Sequence, residues 1–455
     1  MKQARQLTPV KGFSKLSREA KTEWLISHYA KDPVKGHELL ESYRHADPAV
    51  QRLHDEFIEN TLTNYYLPFG IAPNFLIDGD LYALPMAIEE SSVVAAASKA
   101  ANFWLERGGF HTEIISTTKI GHVHFYWMGS DPEVLRKKVA DFAPAFETAT
   151  DRITANMRAR GGGILSIQLV DKTALEKGYF QLAVKFDTRD SMGANFINSC
   201  LEAIAESLQQ ELASAHDLPE QERQAEVIMR ILSNFTPECL VRASVSCPVD
   251  EIEEGSGIGN TAFADRFVRA VRIAEIEPYR AVTHNKGIMN GIDAVVIATG
   301  NDFRAVEACA HAYAARNGQY GSLTHAKVED GVFHFWIDMP LSLGTVGGIT
   351  SLHPMVKFAL EILGQPSAEK LMRICAVAGL AQNFSALRSL VTTGIQKGHM
   401  KMHLLNILNQ LEATDEEKAR IVEYFKDKVV SHQAAVEIFC QIRGIHAEQL
   451  ATRKH

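Results

Sequence analysis

Charged and polar side chains suited to proton and anion chemistry are concentrated between residues 280 and 307. Arg280, Lys286 and Asp302 stand there among apolar residues whose spacing (i, i+1, i+4, i+7, i+8) is typical of a helix. Gly300 predicts the end of that helix, and either Asn301 or Asp302 the start of the next. We expect Lys286 in the loop that enters the first helix, and Asp302 at the junction, because such loops often carry function. The alternative is that Lys286 is a solvated surface charge and Asp302 only a helix N-cap.

A second candidate is the carboxylate pair Glu89 and Glu90, which follows Pro85. The order of the residues predicts a helix, because a proline comes first, then the carboxylates, then an alanine-rich stretch that ends at Gly108. The positive N-terminal end of such a helix attracts both anions. This structural role competes with a functional one, in which Glu90 projects into a cleft and donates a proton. A carboxylic acid does so near neutral pH only when burial or a neighbouring charge adjusts its pKa.

A third candidate is the segment 190–195, which opens a helix predicted to run to residue 213. Asp190 could be a plain N-cap of that helix. The alternative is a dinucleotide site, in which a phosphate approaches the free N–H groups of the helix start because Gly193 has no side chain. A glycine-rich turn at 344–348 predicts either a phosphate contact or close packing of the backbone.

His399 lies between Gly398 and Met400, just beyond a predicted helix that ends at Gly394. A histidine in this position could swing on a hinge toward a site, or it could be an ordinary surface histidine.

Composition restricts the class of protein. The chain has 455 residues, of which 46% are hydrophobic and 22% charged, and a net charge of −8, which indicates two or three globular domains without a nucleic-acid-binding face. Six scattered cysteines form no C-x-x-C pair, so the sequence predicts no disulfide framework and no metal site, and it fits a reducing cytosol. The polar N-terminus resembles no secretory signal, and no apolar run approaches about 20 residues. We therefore expect a cytoplasmic protein with no membrane or nucleic-acid partner.

The order of predicted elements gives an α+β fold. Strands and helices alternate between residues 110 and 220, which predicts a small ferredoxin-like domain inserted into a larger, mostly helical one. We divide the chain into a discontinuous large domain (1–109 and 221–378), the inserted domain (110–220) and a helical C-terminal flap (379–455).

These segments together resemble the hydroxymethylglutaryl-CoA reductases, in particular the soluble bacterial class II form. The resemblance covers most of the chain, and its motifs follow the family's order. They are Pro-Met-x-x-Glu-Glu-x-Ser at 85–92, Asp-x-Met-Gly-x-Asn at 190–195, His-Asn-Lys-Gly-Ile-Met-Asn-Gly at 284–291, Gly-Asn-Asp at 300–302 and Gly-Ile-Gln-x-Gly-His-Met at 394–400. One departure follows Glu59 and Asn60, where residues 61–63 read Thr-Leu-Thr in place of the usual Val-Ile-Gly.

The resemblance implies a four-electron reduction of 3-hydroxy-3-methylglutaryl-CoA to mevalonate and CoA, through a mevaldyl-CoA hemithioacetal and mevaldehyde, or the reverse oxidation. Lys286 would stabilise the oxyanion, Asp302 would orient Lys286, and Glu90 would relay a proton. His399, on a mobile flap, would neutralise the CoA thiolate. The substrate contacts implied are Arg280, Ser92, Asn290 and Gln382. The cofactor contacts implied are Asp190, Met192, Gly193 and Asn195.

The resemblance also implies NADPH or NADH as cofactor and a homodimer, or a larger assembly of dimers, with the active site at the dimer interface. The segment before Gly161 contains Asn156, Arg158 and Arg160 but no obvious acid for a ribose 2′-hydroxyl, which favours NADPH. In the family, the segment that begins at Glu59 lies at the dimer interface.

Two other classes of protein stay open. One is a non-catalytic CoA- or nucleotide-binding protein that keeps the fold, which the loss of any of Glu90, Lys286, Asp302 or His399 would favour; all four are present. The other is a different NAD(P)-dependent reductase of acyl-CoA or aldehyde substrates, which a panel of substrates would distinguish.

Overall fold

The chain begins with short helices. The computed structural model describes residues 9–253, 257–392, 404–405, 407–425, 428 and 430–445. The first helices are α1 (Arg18–Tyr29), α2 (Pro33–Ser42) and α3 (Pro48–Asp55). At the start of each helix, a side chain accepts hydrogen bonds from free backbone N–H groups; these side chains are Ser17, Asp32 and Asp47.

A two-stranded antiparallel sheet and a helix follow. These elements are β1 (Phe69–Ile77), β2 (Asp80–Ala87), α4 (Val93–Leu105) and the next strand, β3 (His111–Thr117). Pro85 lies in β2, opposite Ile71, and not in the first turn of a helix as the sequence predicted. That prediction was wrong because proline also fits an edge strand, where its missing N–H is not needed. Glu89 and Glu90 therefore lie in the connection that precedes α4.

The chain then forms a unit with a four-stranded antiparallel sheet. Its elements are β4 (Lys119–Trp127), α5 (Pro132–Asp141), α6 (Ala143–Ala159), β5 (Gly163–Asp171), β6 (Tyr179–Asp187), α7 (Ala194–Ser214) and β7 (Ala225–Leu232). The strand order is β5–β6–β4–β7, and with α5 and α6 counted as one crossover the chain follows the β-α-β-β-α-β order of ferredoxin-like folds. Its own apolar core includes Phe125, Phe146 and Phe186.

The limits of this inserted unit differ from the predicted ones when they are judged by sheet membership. β3, expected inside the unit, pairs with β8 (Cys239–Pro248) in the sheet of the larger unit. β7, expected outside it, pairs with β4. Sheet membership therefore runs from Lys119 to Leu232, and not from 110 to 220. Pairing between strands depends on residues distant in sequence, which local patterns do not encode.

The remaining elements complete the larger unit. They are β8, α8 (Asn260–Ile276), α9 (Pro278–Ala298), α10 (Phe303–Ala314), β9 (Thr324–Glu329), β10 (Val332–Pro340), α11 (Pro354–Ile362) and α12 (Ala368–Val391). The sheet has the order β3–β8–β10–β9. A Cβ atom at Gly291 of α9 would lie 2.5 Å from the carbonyl oxygen of Ala378, so glycine is required for the close approach of α9 and α12.

α12 is the central helix of this unit. In the described part of the chain it is the helix long and apolar enough to span a membrane, but 72% of its most apolar window is buried inside the protein. The predicted flap begins at residue 379, within this helix, yet the side chains of α12 as far as Leu387 belong to the main apolar core. Further along, the helices Asp415–Tyr424 and His432–Arg443 share a separate small core.

Candidate active site

α9 carries the predicted lysine at an unexpected position. The carboxylate of Glu277 accepts hydrogen bonds from the first free N–H groups of α9, and Pro278 occupies the first turn of this helix. Lys286 therefore lies in the middle of a helix, and its predicted place in a loop was wrong. Gly300, with φ of 69°, follows the helix end, and Asp302 is the N-cap of α10, both as predicted.

Lys286 reaches the connection between β2 and α4. Its Nζ donates a hydrogen bond to Glu90 Oε2 over 2.5 Å. Both side chains remain accessible, Lys286 with 60% and Glu90 with 42% of its surface exposed. Glu90 also borders an open cleft of about 330 Å³ that Gly70 and Ser92 help to line. A substrate in this cleft could therefore contact both groups.

Ser92 has a strained backbone next to this pair. Its φ of 74° lies in the left-handed region, which costs a residue with a side chain on the order of 1–3 kcal/mol. Although Ser92 occupies the N-cap position of α4, its hydroxyl caps no N–H group of that helix. Strain of this kind is often found at binding sites, and the position fits the substrate contact implied for Ser92.

One face of α9 carries Lys286, Asn290 four residues later and Asp293 three residues after that. Lys286 is exposed on this face, whereas Asn290 and Asp293 are partly buried. Arg280 is partly buried in the first turn, away from this face, and burial lowers the pKa of its guanidinium group. Within the described ranges, no carboxylate forms a salt bridge with Arg280. Its charge is therefore available to an anionic ligand.

Gln382 of α12 lies where α12 contacts α9. The residue is 7% exposed, and its Oε1 has no hydrogen-bond partner among the described residues. Its Cβ lies 2.8 Å from the position that a Cβ of Gly291 would occupy, so Gln382 is adjacent to the segment that carries Asn290. A buried oxygen without a partner costs about 1–3 kcal/mol, and a ligand hydroxyl would remove that cost.

The sequence analysis missed a buried polar network beside Lys286. His284 Nε2 lies 2.6 Å from Thr324 Oγ1, and that hydroxyl donates to Asn383 Oδ1 at 3.0 Å. Burial lowers the pKa of His284 to about 3, so its imidazole is neutral and donates through Nε2. This network joins α9 to β9 and α12. The signal was present in the sequence, because His284 precedes Ile288 by one helical turn on the apolar face of α9.

Asp293 of α9 is a partly buried polar residue that was also not predicted from the sequence. Burial, together with a hydrogen bond and repulsion from Glu307 of α10, raises the pKa of Asp293 to about 8. Asp293 therefore holds a proton near neutral pH and pairs with Glu307. This pair joins α9, which carries Lys286, to α10, whose N-cap is Asp302.

Asp302 is bound to Arg304 and not to Lys286. Its Oδ1 and Oδ2 accept hydrogen bonds from the Arg304 guanidinium at 3.1 and 3.2 Å. Partial burial acts in the opposite direction, but the bonds from Arg304 hold the pKa of Asp302 below its usual value. At about 1.5 Å per residue, α9 separates Lys286 from its C-cap Thr299 by about 20 Å. The structure therefore does not bring Asp302 to Lys286 within one chain.

Asp190 does not cap its own helix. α7 begins at Ala194, after Gly193, so the predicted start at residue 190 was too early. Asp190 Oδ1 instead accepts the N–H of Ala368 at the start of α12 over 2.7 Å. Its carbonyl oxygen accepts the N–H of Thr345 at 2.8 Å, so the segment is attached to the larger unit at two points.

The glycine-rich turn at 344–348 packs on the same segment. Gly344 lies so close to the backbone N–H of Met192 that a side chain would not fit between them. Of the two alternatives for this turn, the structure therefore contains the close packing of backbone.

Gly193 makes the start of α7 open. It has φ of 91°, and a Cβ atom there would lie 2.5 Å from Thr188 Cγ2, so only glycine fits. No side chain caps α7, which leaves the N–H groups of its first turn available, and Asn195 is exposed in that turn. An uncapped helix start of this kind attracts phosphate, so these residues fit a dinucleotide.

His399 lies outside the described residues, as does the surrounding segment 393–403, so its role stays a prediction. In the ranges that the structure describes, no group of three His, Cys, Asp or Glu side chains is arranged to hold a metal ion.

Comparison with known proteins places these features in a family. The family model for hydroxymethylglutaryl-coenzyme A reductase matches residues 22–404. A 3-hydroxy-3-methylglutaryl-coenzyme A reductase of Archaeoglobus fulgidus is 39% identical over 86% of this chain and 86% of its own length. The chain belongs to the hydroxymethylglutaryl-coenzyme A reductase family.

Solved structures of the same family have a similar fold. A reductase from Streptococcus pneumoniae has a TM-score of 0.70 and 32% sequence identity, covering 96% of this chain and all of the other. A class II reductase from Streptococcus pneumoniae, bound to NADPH in open conformations, has a TM-score of 0.69 and 33% identity over 85% of this chain and all of its own. These similarities agree with the resemblance that the motifs indicated.

Proposed function

We propose that the chain reduces 3-hydroxy-3-methylglutaryl-CoA to mevalonate and CoA, with a nicotinamide dinucleotide as the reductant. The observation that carries this proposal is the contact of Lys286 with Glu90, an ammonium and a carboxyl group side by side at an open cleft. A thioester carbonyl that accepts a hydride develops negative charge on its oxygen. A fixed ammonium stabilises that charge, and a neighbouring carboxyl group can move the accompanying proton.

The reaction uses two hydrides and two protons. The first hydride and a proton convert the thioester into a hemithioacetal; its C–S bond then breaks to give mevaldehyde and the CoA thiolate. The hydroxyl proton of the hemithioacetal returns to Glu90, and His399 donates a proton to the thiolate, whose conjugate acid has a pKa of about 8.5. The second hydride and a proton convert mevaldehyde to mevalonate. Two nicotinamide dinucleotides, bound one after the other, would each supply one hydride, and Lys286 stabilises the oxyanion each time.

The other site residues bind the substrate. Arg280, which no described carboxylate neutralises, binds the free carboxylate of the hydroxymethylglutaryl group. The strained Ser92, the partly buried Asn290 and the unpaired amide oxygen of Gln382 contact its polar groups. These contacts fix the thioester carbon in the cleft, so that the hydride reaches one carbonyl and not the carboxylate.

The dinucleotide binds at the start of α7. Gly193 allows close approach, the free N–H groups of the first turn bind a phosphate, and Asn195 is accessible beside them. Asp190 and Met192 hold the segment against the larger unit through their backbone and side-chain contacts. These contacts attach the proposed cofactor site on the inserted unit to the larger unit, which carries Lys286.

NADPH is the proposed cofactor. The segment from Asn156 to Arg160 contains no acid, as expected. Asp151, earlier on α6, nevertheless pairs with Arg158. Arg160 forms no described salt bridge, and its Nε donates only to the carbonyl of Asn156. The preference for a ribose 2′-phosphate therefore rests on Arg160.

The complete site forms between two chains. The ammonium of Lys286 is exposed in one chain, although the stabilisation of an oxyanion requires a site that excludes water. Asp302 of the same chain lies beyond Thr299, the C-cap of α9, which is about 20 Å from Lys286 along the helix. The segment after Glu59 exposes 89% of Tyr65 and 51% of Tyr66, and exposed aromatic groups of this kind mark protein contacts. A homodimer, alone or within a larger assembly, covers them and brings a second Asp302 to Lys286. The proposed location is the cytoplasm, which would keep the six unpaired cysteines reduced.

A steady-state assay with NADPH and NADH in both directions tests this function. We expect oxidation of two dinucleotides for each CoA released from the hydroxymethylglutaryl thioester, faster with NADPH. Failure of the purified, folded protein to turn over this thioester with either cofactor would overturn the proposal. Turnover of other acyl-CoA thioesters alone would assign the chain to another reductase activity.

A further inference from the structure

Lys119 is a buried lysine that the proposed mechanism does not use. It is the first residue of β4 and is only 4% exposed. Its Nζ donates to Thr188 Oγ1 at 2.6 Å, to the carbonyl oxygen of Ser191 at 2.8 Å and to that of Met192 at 3.1 Å. An ammonium group has three N–H donors, and here each of them has an acceptor.

The burial of this ammonium is costly, so its position requires an explanation. Burial lowers the pKa of Lys119, while the nearby Cys239, Asp187 and Asp190 act in the opposite direction. Among the described residues, none of these groups forms a salt bridge with Lys119. The charge is instead satisfied by a hydroxyl and two carbonyl groups of one segment, 188–192. Lys119 therefore interacts with the backbone of the segment that leads to the proposed dinucleotide site.

The contacts of Lys119 determine the shape of that segment. Thr188 Oγ1 accepts from Lys119 and donates to the carbonyl oxygen of Ser191 over 2.6 Å. The same Thr188 side chain lies against Gly193, where it leaves no room for a Cβ atom. The N–H of Gly193 donates to Ser191 Oγ at 3.1 Å, which closes the turn from inside. No side chain caps the N–H groups of the first turn of α7, which follows this turn.

We propose that Lys119 is a positioning residue for the dinucleotide: it holds residues 188–193 in the conformation that presents the start of α7 to the cofactor phosphates. The inference rests on the proposed cofactor site at α7. Lys119 is not a catalytic residue, because it lies beneath the segment and does not reach the reacting groups. Loss of its three bonds would leave the Met192 carbonyl without this donor and the Ser191 carbonyl with Thr188 alone, so the segment would change shape or admit water.

Lys119→Met tests this role, because methionine has a similar length and no donor. We expect the Kd for NADPH, measured by quenching of its fluorescence, to rise about tenfold or more, as loss of hydrogen bonds from a charged donor implies. The KM for the dinucleotide should rise in parallel, while kcat and the KM for the thioester change much less. Lys119→Arg, which keeps charge and donors, should recover part of the affinity.

Lys185→Met is the matched control. Lys185 lies on β6, opposite Ile120 in the same sheet, and its Nζ makes an exposed ion pair with Glu238. The control should leave dinucleotide affinity unchanged. Should Lys119→Met fail to fold, Thr188→Val removes one acceptor and keeps the charge, and it should weaken dinucleotide binding alone.

The outcomes separate the possible explanations. Unchanged dinucleotide affinity in folded Lys119→Met, or in Thr188→Val where the first variant does not fold, overturns the positioning role. Equal losses in dinucleotide binding, thioester binding and thermal stability also overturn it, because they indicate a merely structural lysine. If wild-type protein binds no dinucleotide, the proposed function itself fails, and the titration of wild type reveals this before any variant is compared.

Discussion

Lys286 Nζ donates a hydrogen bond to Glu90 Oε2 at 2.5 Å, although the two residues come from elements far apart in the chain. Lys286 belongs to the middle of α9, and Glu90 to the connection between β2 and α4. Both side chains are largely accessible, and exposed ion pairs contribute only about 0–1 kcal/mol to stability. The contact therefore has little value for folding, and its removal can test chemistry without unfolding the protein.

Lys286→Ala should abolish both reductive steps and leave the fold intact. We expect kcat with the hydroxymethylglutaryl thioester, and with mevaldehyde, to fall by about 10²–10³ or more, as for loss of a group that stabilises an oxyanion. The Tm should change little, because Lys286 is exposed. Lys99→Ala, at an exposed position of α4, is the control and should keep wild-type turnover. A folded Lys286→Ala protein with near-normal turnover would falsify the assignment.

Mixing two inactive variants should restore activity if the site needs two chains. In a mixed dimer of Lys286→Ala and Asp302→Asn, one site has both wild-type residues and the other has neither. Random exchange of subunits should therefore recover about a quarter of the wild-type activity in a closed two-fold dimer. Asn at residue 302 still caps α10, so the fold is kept.

The control for this experiment mixes Lys286→Ala with Glu90→Gln. Lys286 and Glu90 contact each other within one chain, so neither site of the mixed dimer has both wild-type residues. This mixture should stay inactive. Recovery of activity here, or its absence in the first mixture, would contradict the division of the site between chains.

His399→Gln should impair reduction of the thioester more than reduction of free mevaldehyde. Only the thioester reaction releases a thiolate that needs a proton, and general acid catalysis contributes about 10²–10⁴ to such a step. The measurement compares kcat/KM for both substrates in the same preparation. His403→Gln, nearby in the sequence, is a control and should leave the ratio of the two rates unchanged. Equal losses on both substrates would count against a role for His399 in protonating the thiolate.

The sequence predicted the type of many elements but not their contacts. Apolar spacing correctly predicted that residues 288–296 form a helix, and Gly300 its end. Lys286 was placed in a loop because the apolar spacing that predicted the helix begins only at Ile288, whereas the helix itself begins at Pro278. Glu277 and Pro278 carried the missing signal, a capping residue followed by proline.

The partners of Asp302 and Asp190 could not be predicted for a different reason. Asp302 caps α10, as one of its two interpretations expected, but its pairing with Arg304 depends on side-chain orientation within one turn. Asp190 accepts the N–H of Ala368, a residue distant in sequence. Contacts of this kind depend on how separate elements pack, so a single sequence supplies the candidate residues and the structure supplies their partners.

Asp293 should make the stability of the protein depend on pH. Burial and Glu307 raise its pKa from 3.8 to about 8, so between these values the native state binds a proton that the unfolded chain releases. The contribution of Asp293 to stability is therefore largest below pH 3.8. It decreases as the pH rises toward 8 and is constant above pH 8. Asp293→Asn cannot titrate, so its Tm relative to wild type should increase over the same pH range, by a difference on the order of a few kcal/mol in unfolding free energy. Asp330→Asn, in an exposed turn, is the control. Parallel pH profiles of Tm for Asp293→Asn and wild type would show that Asp293 holds no proton in the native state.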